Sequence, residues 1–258
     1  MATAMVAITT SATAGTMSID SGRARWMVGG IVSVIGLVLI TFSLPRVIAY
    51  SYLAMVPPGI DDALSQGRPI KADELEEARG LYRKALDALP DDAVIQQNFG
   101  RLELRRAAGI AIAPEERIKA LTSASEHFKA SIAAAPARSF AWSLAASAQY
   151  QLKADPALLN ALLRMSYYTG PHEASSLLLR AQVGCGIWNE LDSDVRVLIG
   201  QDLKALWAIG RLRSGLIDIY LSSSYETRSA IREIVLTDPQ SQKRFDQMLE
   251  RVLKRAAR

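Results

Sequence analysis

Apolar positions in this chain follow two regimes. From Trp26 to Leu44 they run without a single charged residue, and from Ala72 onward they recur every three or four positions against a charged background. The first run rises about 28 Å as a helix, close to the thickness of a hydrocarbon core. Arg23 and Arg25 close one end of it and Arg46 the other, while Trp26, Tyr50 and Tyr52 are ring types favoured in headgroup layers. A cleavable signal peptide is the competing reading. The apolar core is longer than a usual h-region and no Ala-x-Ala site follows it, so an uncleaved anchor over residues 23–52 is expected. Residues 1–22 are small and hydroxylated, the composition of a disordered tail. Pro57, Pro58 and Gly59 open a polar linker over 53–71, and residues 72–258 form the main domain.

In that domain the 3.6-residue period predicts helix after helix. Leu75, Ala78, Leu81, Tyr82, Ala85 and Leu89 make the apolar face of the first. Asp91 or Asp92 caps the second, which ends in Arg105 and Arg106. A third spans about 115–135 and a fourth about 138–152. Pro156 starts a fifth that is apolar nearly all round and is therefore expected between neighbours. Gly170 and Pro171 read as a stop and a start. Helices near 173–188 and 193–213 follow, then shorter ones and a basic amphipathic terminus. No stretch alternates as a strand does.

Two of these helices carry one signature. Ala78, Tyr82, Ala85 and Pro90 recur as Ala124, Phe128, Ser131 and Pro136, with spacings of 4, 3 and 5 residues both times. Small residues flanking a ring on one helix face allow one close helix crossing, and the proline ends the helix. Past each proline the pairing continues: Trp142 stands six residues after Pro136 and Ala146 four further on, and Gly100, ten residues after Pro90, holds the place equivalent to Ala146. These positions resemble the tetratricopeptide repeat, although the 46-residue offset exceeds that family's period of about 34. The surplus, Arg106 to Glu116, holds Gly109 and Pro114 and reads as an enlarged turn. Ala161, Met165, Tyr168 and Pro171 read as a degenerate third unit. The fold class expected is all-α: one N-terminal transmembrane helix, then a tetratricopeptide-like helical-hairpin solenoid whose C-terminal half is diverged and caps the stack.

Charge and chemistry change this picture little. A net charge of +4 without aromatics interleaved among clustered cations gives no support to nucleic-acid binding. Cys185, between two glycines, is expected to be a small core residue. His127 and His172 lack catalytic partner sets and read as structural. Asp192-Ser193-Asp194 spells the Asp-x-Asp triplet of metal-dependent sugar-nucleotide transferases, but it precedes an apolar helix, where aspartate caps. No phosphate-binding glycine motif or nucleophile elbow is present, so no catalytic residue, metal site or cofactor is expected. For binding, the wall of such a solenoid would present Gln97, Arg101 and Arg105, then Ser143, Ser147 and Tyr150, a polar, basic and aromatic mixture suited to an acidic or extended partner segment. Gly29 and Ser33 form a weak small-xxx-small pair in the span.

Residues 120–207 also resemble the VpsP-like membrane proteins of bacterial exopolysaccharide clusters. The resemblance lies in Pro136-Ala-Arg-Ser-Phe-Ala-Trp142, Leu158-Leu-Asn-Ala-Leu-Leu-Arg164, Thr169-Gly-Pro-His-Glu173, Arg180 and Gly186-Ile-Trp-Asn-Glu-Leu191. It implies a non-enzymatic accessory component of polysaccharide assembly or export, whose protein partners would be a synthase, polymerase or export component. With Arg23 and Arg25 before the span, the charge bias puts the N-terminus inside and the helical domain in the periplasm, beyond the cytoplasmic membrane. The alternatives are a general envelope scaffold, in outer-membrane assembly or cytochrome maturation, and a glycan-acting helical enzyme.

Overall fold

The computed structural model describes residues 21–66, 68–109 and 112–256. The expected disordered tail lies outside the described residues except for Ser21 and Gly22, which open the first helix, and the enlarged turn is described except at 110 and 111. Every regular element among the described residues is helical. The chain divides into two compact units, Met1–Val47 and Ile48–Arg258.

Helix α1 runs Ser21–Ala54, and its stretch Gly29–Ala54 is long and apolar enough to cross a membrane. Pro45 stands inside it, withdrawing one backbone donor, and Arg46 donates to the Phe42 carbonyl at 2.7 Å in the adjoining turn. Its last turns behave differently from the rest. Within the second unit, Ala49 is fully buried, and Tyr52 and Leu53 pack with Leu75, Ala78, Tyr82, Leu86 and Ile95. The Tyr50 hydroxyl reaches Asp92 at 3.3 Å and Lys84 lies over the Tyr52 ring. The two tyrosines expected in a headgroup layer therefore make contacts within the helical domain. The linker also carries structure, because α2 (Ile60–Gln66) seats Ile60 and Ala63 in the interior.

Ten helices follow: α3 (Ala72–Ala88), α4 (Ala93–Ala107), α5 (Pro114–Ala134), α6 (Ser139–Gln151), α7 (Pro156–Thr169), α8 (Ala174–Gly186), α9 (Ser193–Ala208), α10 (Arg213–Ser222), α11 (Tyr225–Val235) and α12 (Pro239–Ala256). Asp92 caps α4 by accepting from the Val94 and Ile95 amides, and Asp155 caps α7 through Ala157. The expected helix 193–213 stops at Ala208, and Arg213 begins α10 after a short 3-10 turn at Gly210–Leu212.

Both signature triplets are buried, Ala78, Tyr82 and Ala85 on α3 and Ala124, Phe128 and Ser131 on α5, while Pro90 and Pro136 stand exposed at the turns. Consecutive helices meet head to tail. In α4 and α5, Ser131 bonds the Ala93 carbonyl and Arg106 bonds Glu116, so opposite ends touch. Gly100 faces the Phe128 ring, and a Cβ there would stand 2.5 Å from Cε1. Gly184 of α8 meets Ile199 of α9 in the same way.

The third unit needs a correction. Ala161 and Tyr168 point outward, whereas Leu163 and Tyr167 are buried and Gly170 packs against Ser139, restoring the 4 and 3 spacing two residues later. Ile199, Leu203 and Leu206 on α9 repeat it again, all fully buried. Nor is α7 enclosed on all sides: Leu158, Ala161 and Tyr168 leave an apolar face in solvent.

Trp142 is half-buried, and its indole donates to the Pro136 carbonyl at 2.8 Å, pinning the turn from outside the core. Ala146 is fully buried beneath it in sequence, within the largest cluster.

Candidate functional site

The expected wall depends on how α4, α6 and α8 face one another. Ser143 is fully buried and bonds the Ser176 hydroxyl at 3.2 Å, and Ser139 bonds the Ser166 carbonyl at 2.8 Å. Four hydroxyls on α6, α7 and α8 thus satisfy one another where small side chains let the helices approach. Ser147 is also buried, and the Tyr150 ring lies on Gly186, where no Cβ would fit. Gln97 is 5% exposed, its carbonyl taken by Arg138. Of the six expected wall residues, Gln97, Ser143 and Ser147 are therefore buried and Tyr150 is half-buried against Gly186. The reason is that α6 is built of serine and alanine, which invite close packing on several sides.

What remains reachable is basic. Arg101 is half-buried, donates to Asn98 Oδ1 at 3.2 Å and lies 5.7 Å from the centre of the Phe140 ring. Burial lowers its pKa, with Asp61 and Tyr82 pulling the other way. Burial and Asp61 push the Tyr82 phenol up to about 12. Arg138, at the head of α6, bonds Gln97 Oε1 through Nε and Nη2, both at 3.3 Å. Among the described residues no carboxylate lies within salt-bridge distance of Arg101 or Arg138. Arg105, one turn beyond Arg101, donates to the Arg68 carbonyl at 2.6 Å. The sequence reading placed Arg138 at the start of the fourth helix without counting it in the wall; the structure puts it just before α6, two residues after Pro136.

Other charged groups are spoken for. Asp192 and Asp194 share one guanidinium: Arg164 Nη2 lies 2.7 Å from Asp192, and its Nε 2.9 Å from Asp194. The arginine holds the Asp194 carboxyl below its usual range. Asp192 therefore spends its carboxylate on Arg164 and makes no side-chain cap for α9, contrary to expectation. Among the described residues no three metal-ligating side chains gather.

Arg180 is fully buried. It holds Asp202 at 2.7 Å, donates to the Gly170 and Pro171 carbonyls, and stacks 4.1 Å above Tyr167, whose hydroxyl also bonds Asp202. Burial raises the Asp202 pKa, and the bonds from Arg180 and Tyr167 oppose it. Every polar group in this lock is engaged, so it orients α7, α8 and α9 and offers nothing to a substrate. Cys185 is buried as expected, its thiol pushed up to about 12 by burial.

A second charged seam ties α3, α4 and α5. Arg79 pairs with Glu76 and Glu103, and Arg106 pairs with Glu116 at 2.6 Å. His127 meets Gln96 Oε1 at 2.6 Å and lies edge-on to Phe99. Because the Gln96 amide donates to the Pro90 carbonyl, its oxygen accepts, and His127 carries the proton on Nδ1.

A scan against protein-family models gives no match to the chain, and a search of the curated proteins gives none either.

Proposed function

We propose that this chain is a membrane-anchored, non-enzymatic scaffold that holds an acidic protein segment at the periplasmic face of the cytoplasmic membrane, as an accessory component of exopolysaccharide biosynthesis or export. The observation that carries the binding role is the pair Arg101 on α4 and Arg138 just before α6, two half-buried residues with no carboxylate in ion-pair range among the described residues. A cation held partly out of water attracts an incoming carboxylate more strongly than a fully solvated one does. Phe140 supplies an apolar floor beside it.

A tetratricopeptide-like solenoid is supported by contacts between several alternate helices. Helix α4 packs on α6, α6 on α8 and α8 on α10, while α7 packs on α9. Contacts at matching ends, Ser139 with Ser176 and Tyr150 with Gly186, make α6 and α8 parallel, as stacked hairpins require. The uncleaved anchor is supported by Ala49, Tyr52 and Leu53, because cleavage beyond Tyr52 would strip part of the core. Arg23 and Arg25 favour the inside position of the N-terminus. The polysaccharide assignment draws on the sequence resemblance alone. Several residues of that resemblance, Gly170, Pro171 and Arg180, build the buried lock, so what they carry is a fold.

The scaffold would act by confinement, raising the local concentration of its partner at the membrane. Complementation tests this. In a strain lacking the gene, the wild-type chain restores secreted polysaccharide, and R101Q/R138Q accumulates equally in the membrane but restores little. Full restoration by the double variant contradicts the assigned site.

A further inference from the structure

Helix α12 carries five cations, Lys243, Arg244, Arg251, Lys254 and Arg255, against Asp246 and Glu250, a net +3 on a chain of net +4. Its apolar side is already used: Phe245 is fully buried between Trp207 and Tyr220, and Met248, Leu249 and Val252 pack on the same cluster. The rest of its surface is solvent-exposed and carries all seven charged residues. Arg232 neutralises Asp246 and Lys254 neutralises Glu250. That leaves Lys243, Arg244, Arg251 and Arg255 with no carboxylate in salt-bridge range among the described residues, and the spacing of Arg244, Arg251 and Arg255, 7 and 4 residues apart, lines those three along one exposed flank of the helix.

We propose that this face of α12 is a docking surface for anionic phospholipid headgroups, so that the helical domain touches the bilayer at a second place besides its anchor. Charge complementarity selects the occupant. Cations on one helix face interact additively with a surface of negative charge, whereas their spread over several turns matches no single small anion. Since the apolar side of α12 is seated on the protein, adhesion is electrostatic, without the insertion typical of an interfacial helix. It must therefore fade with salt. The inference rests on the reading of α1 as an anchor.

The test uses the full chain in lipid nanodiscs, with a fluorophore on Gln247→Cys, exposed one turn before Arg251; buried Cys185 stays unlabelled. Quenching by a headgroup-labelled lipid is read in discs of phosphatidylcholine alone and in discs containing phosphatidylglycerol. The proposal expects several-fold stronger quenching with phosphatidylglycerol, abolished at ~1 M salt, where screening shortens to about 3 Å. It also expects the loss to be reproduced by K243Q/R244Q/R251Q/R255Q, with helix content unchanged. Equal quenching in both lipids, or quenching retained by the quadruple variant, overturns the docking surface alone. Failure of the chain to incorporate into either disc overturns the anchor and the proposal with it.

Discussion

Gly100 and Gly80 are both helical glycines, and space decides opposite outcomes for the same substitution. At Gly80 nothing lies within 4 Å of an added Cβ, so Gly80→Ala should stabilise by about 0.5–1 kcal/mol through helix propensity. At Gly100 the Phe128 ring stands in the way, and overpacking of about 1–3 kcal/mol outweighs that gain. Thermal unfolding of the detergent-solubilised chain should move up for the first and down for the second. His127 makes a pH prediction. Burial is the largest influence on it and lowers its pKa below the ordinary 6.5, so the fold favours the neutral ring. The unfolded chain then binds the extra proton first, and stability is full above pH 6.5 and declines as pH falls through the folded value. The slope is at most about 1.4 kcal/mol per pH unit for one proton. His127→Gln should flatten that decline in urea titrations across this range; an unchanged slope would place the titrating group elsewhere.

Elements whose faces differ sharply in polarity were legible from the sequence. Helices α3 to α8 start and stop within about two residues of the expected positions, because caps, prolines and amphipathic period agree there. On α7 they disagree. With leucine and alanine on every side, PALLNALLRMSYYT has no polar face to set its rotation, and the buried register falls on Leu163 and Tyr167. The wall failed for a related reason: serine reads as surface, yet Ser139, Ser143 and Ser166 are buried because each hydroxyl finds a partner across a close crossing. Trp142 is half-buried, so its loss should weaken the 136–142 turn without unfolding the domain. The end of α1 gives the sharpest test at this scale. A fragment beginning at Ile48 keeps Ala49, Tyr52 and Leu53, and one beginning at Met55 loses them. The shorter fragment should be less stable by about 2–4 kcal/mol, from the apolar area it exposes. Equal denaturation midpoints would show that those turns contribute nothing.

At the scale of the whole chain, an apolar helix able to span a bilayer and a helical unit with polar locks, a basic recess and a basic terminal helix suit a protein that holds others in place. The Asp192 and Asp194 carboxylates are clamped by Arg164. What the sequence left hidden was the way close helix crossings use up polar side chains, so that of the six wall residues only Arg101 remains in the assigned site, where Arg138 joins it. Photo-crosslinking in native membranes tests that claim most directly, with a photoreactive residue at Asn98 beside Arg101. The account predicts a discrete protein adduct, cross-linked through an acidic segment, that disappears in the R101Q/R138Q background. An adduct that persists without the two arginines, or none in membranes actively making polysaccharide, would contradict it.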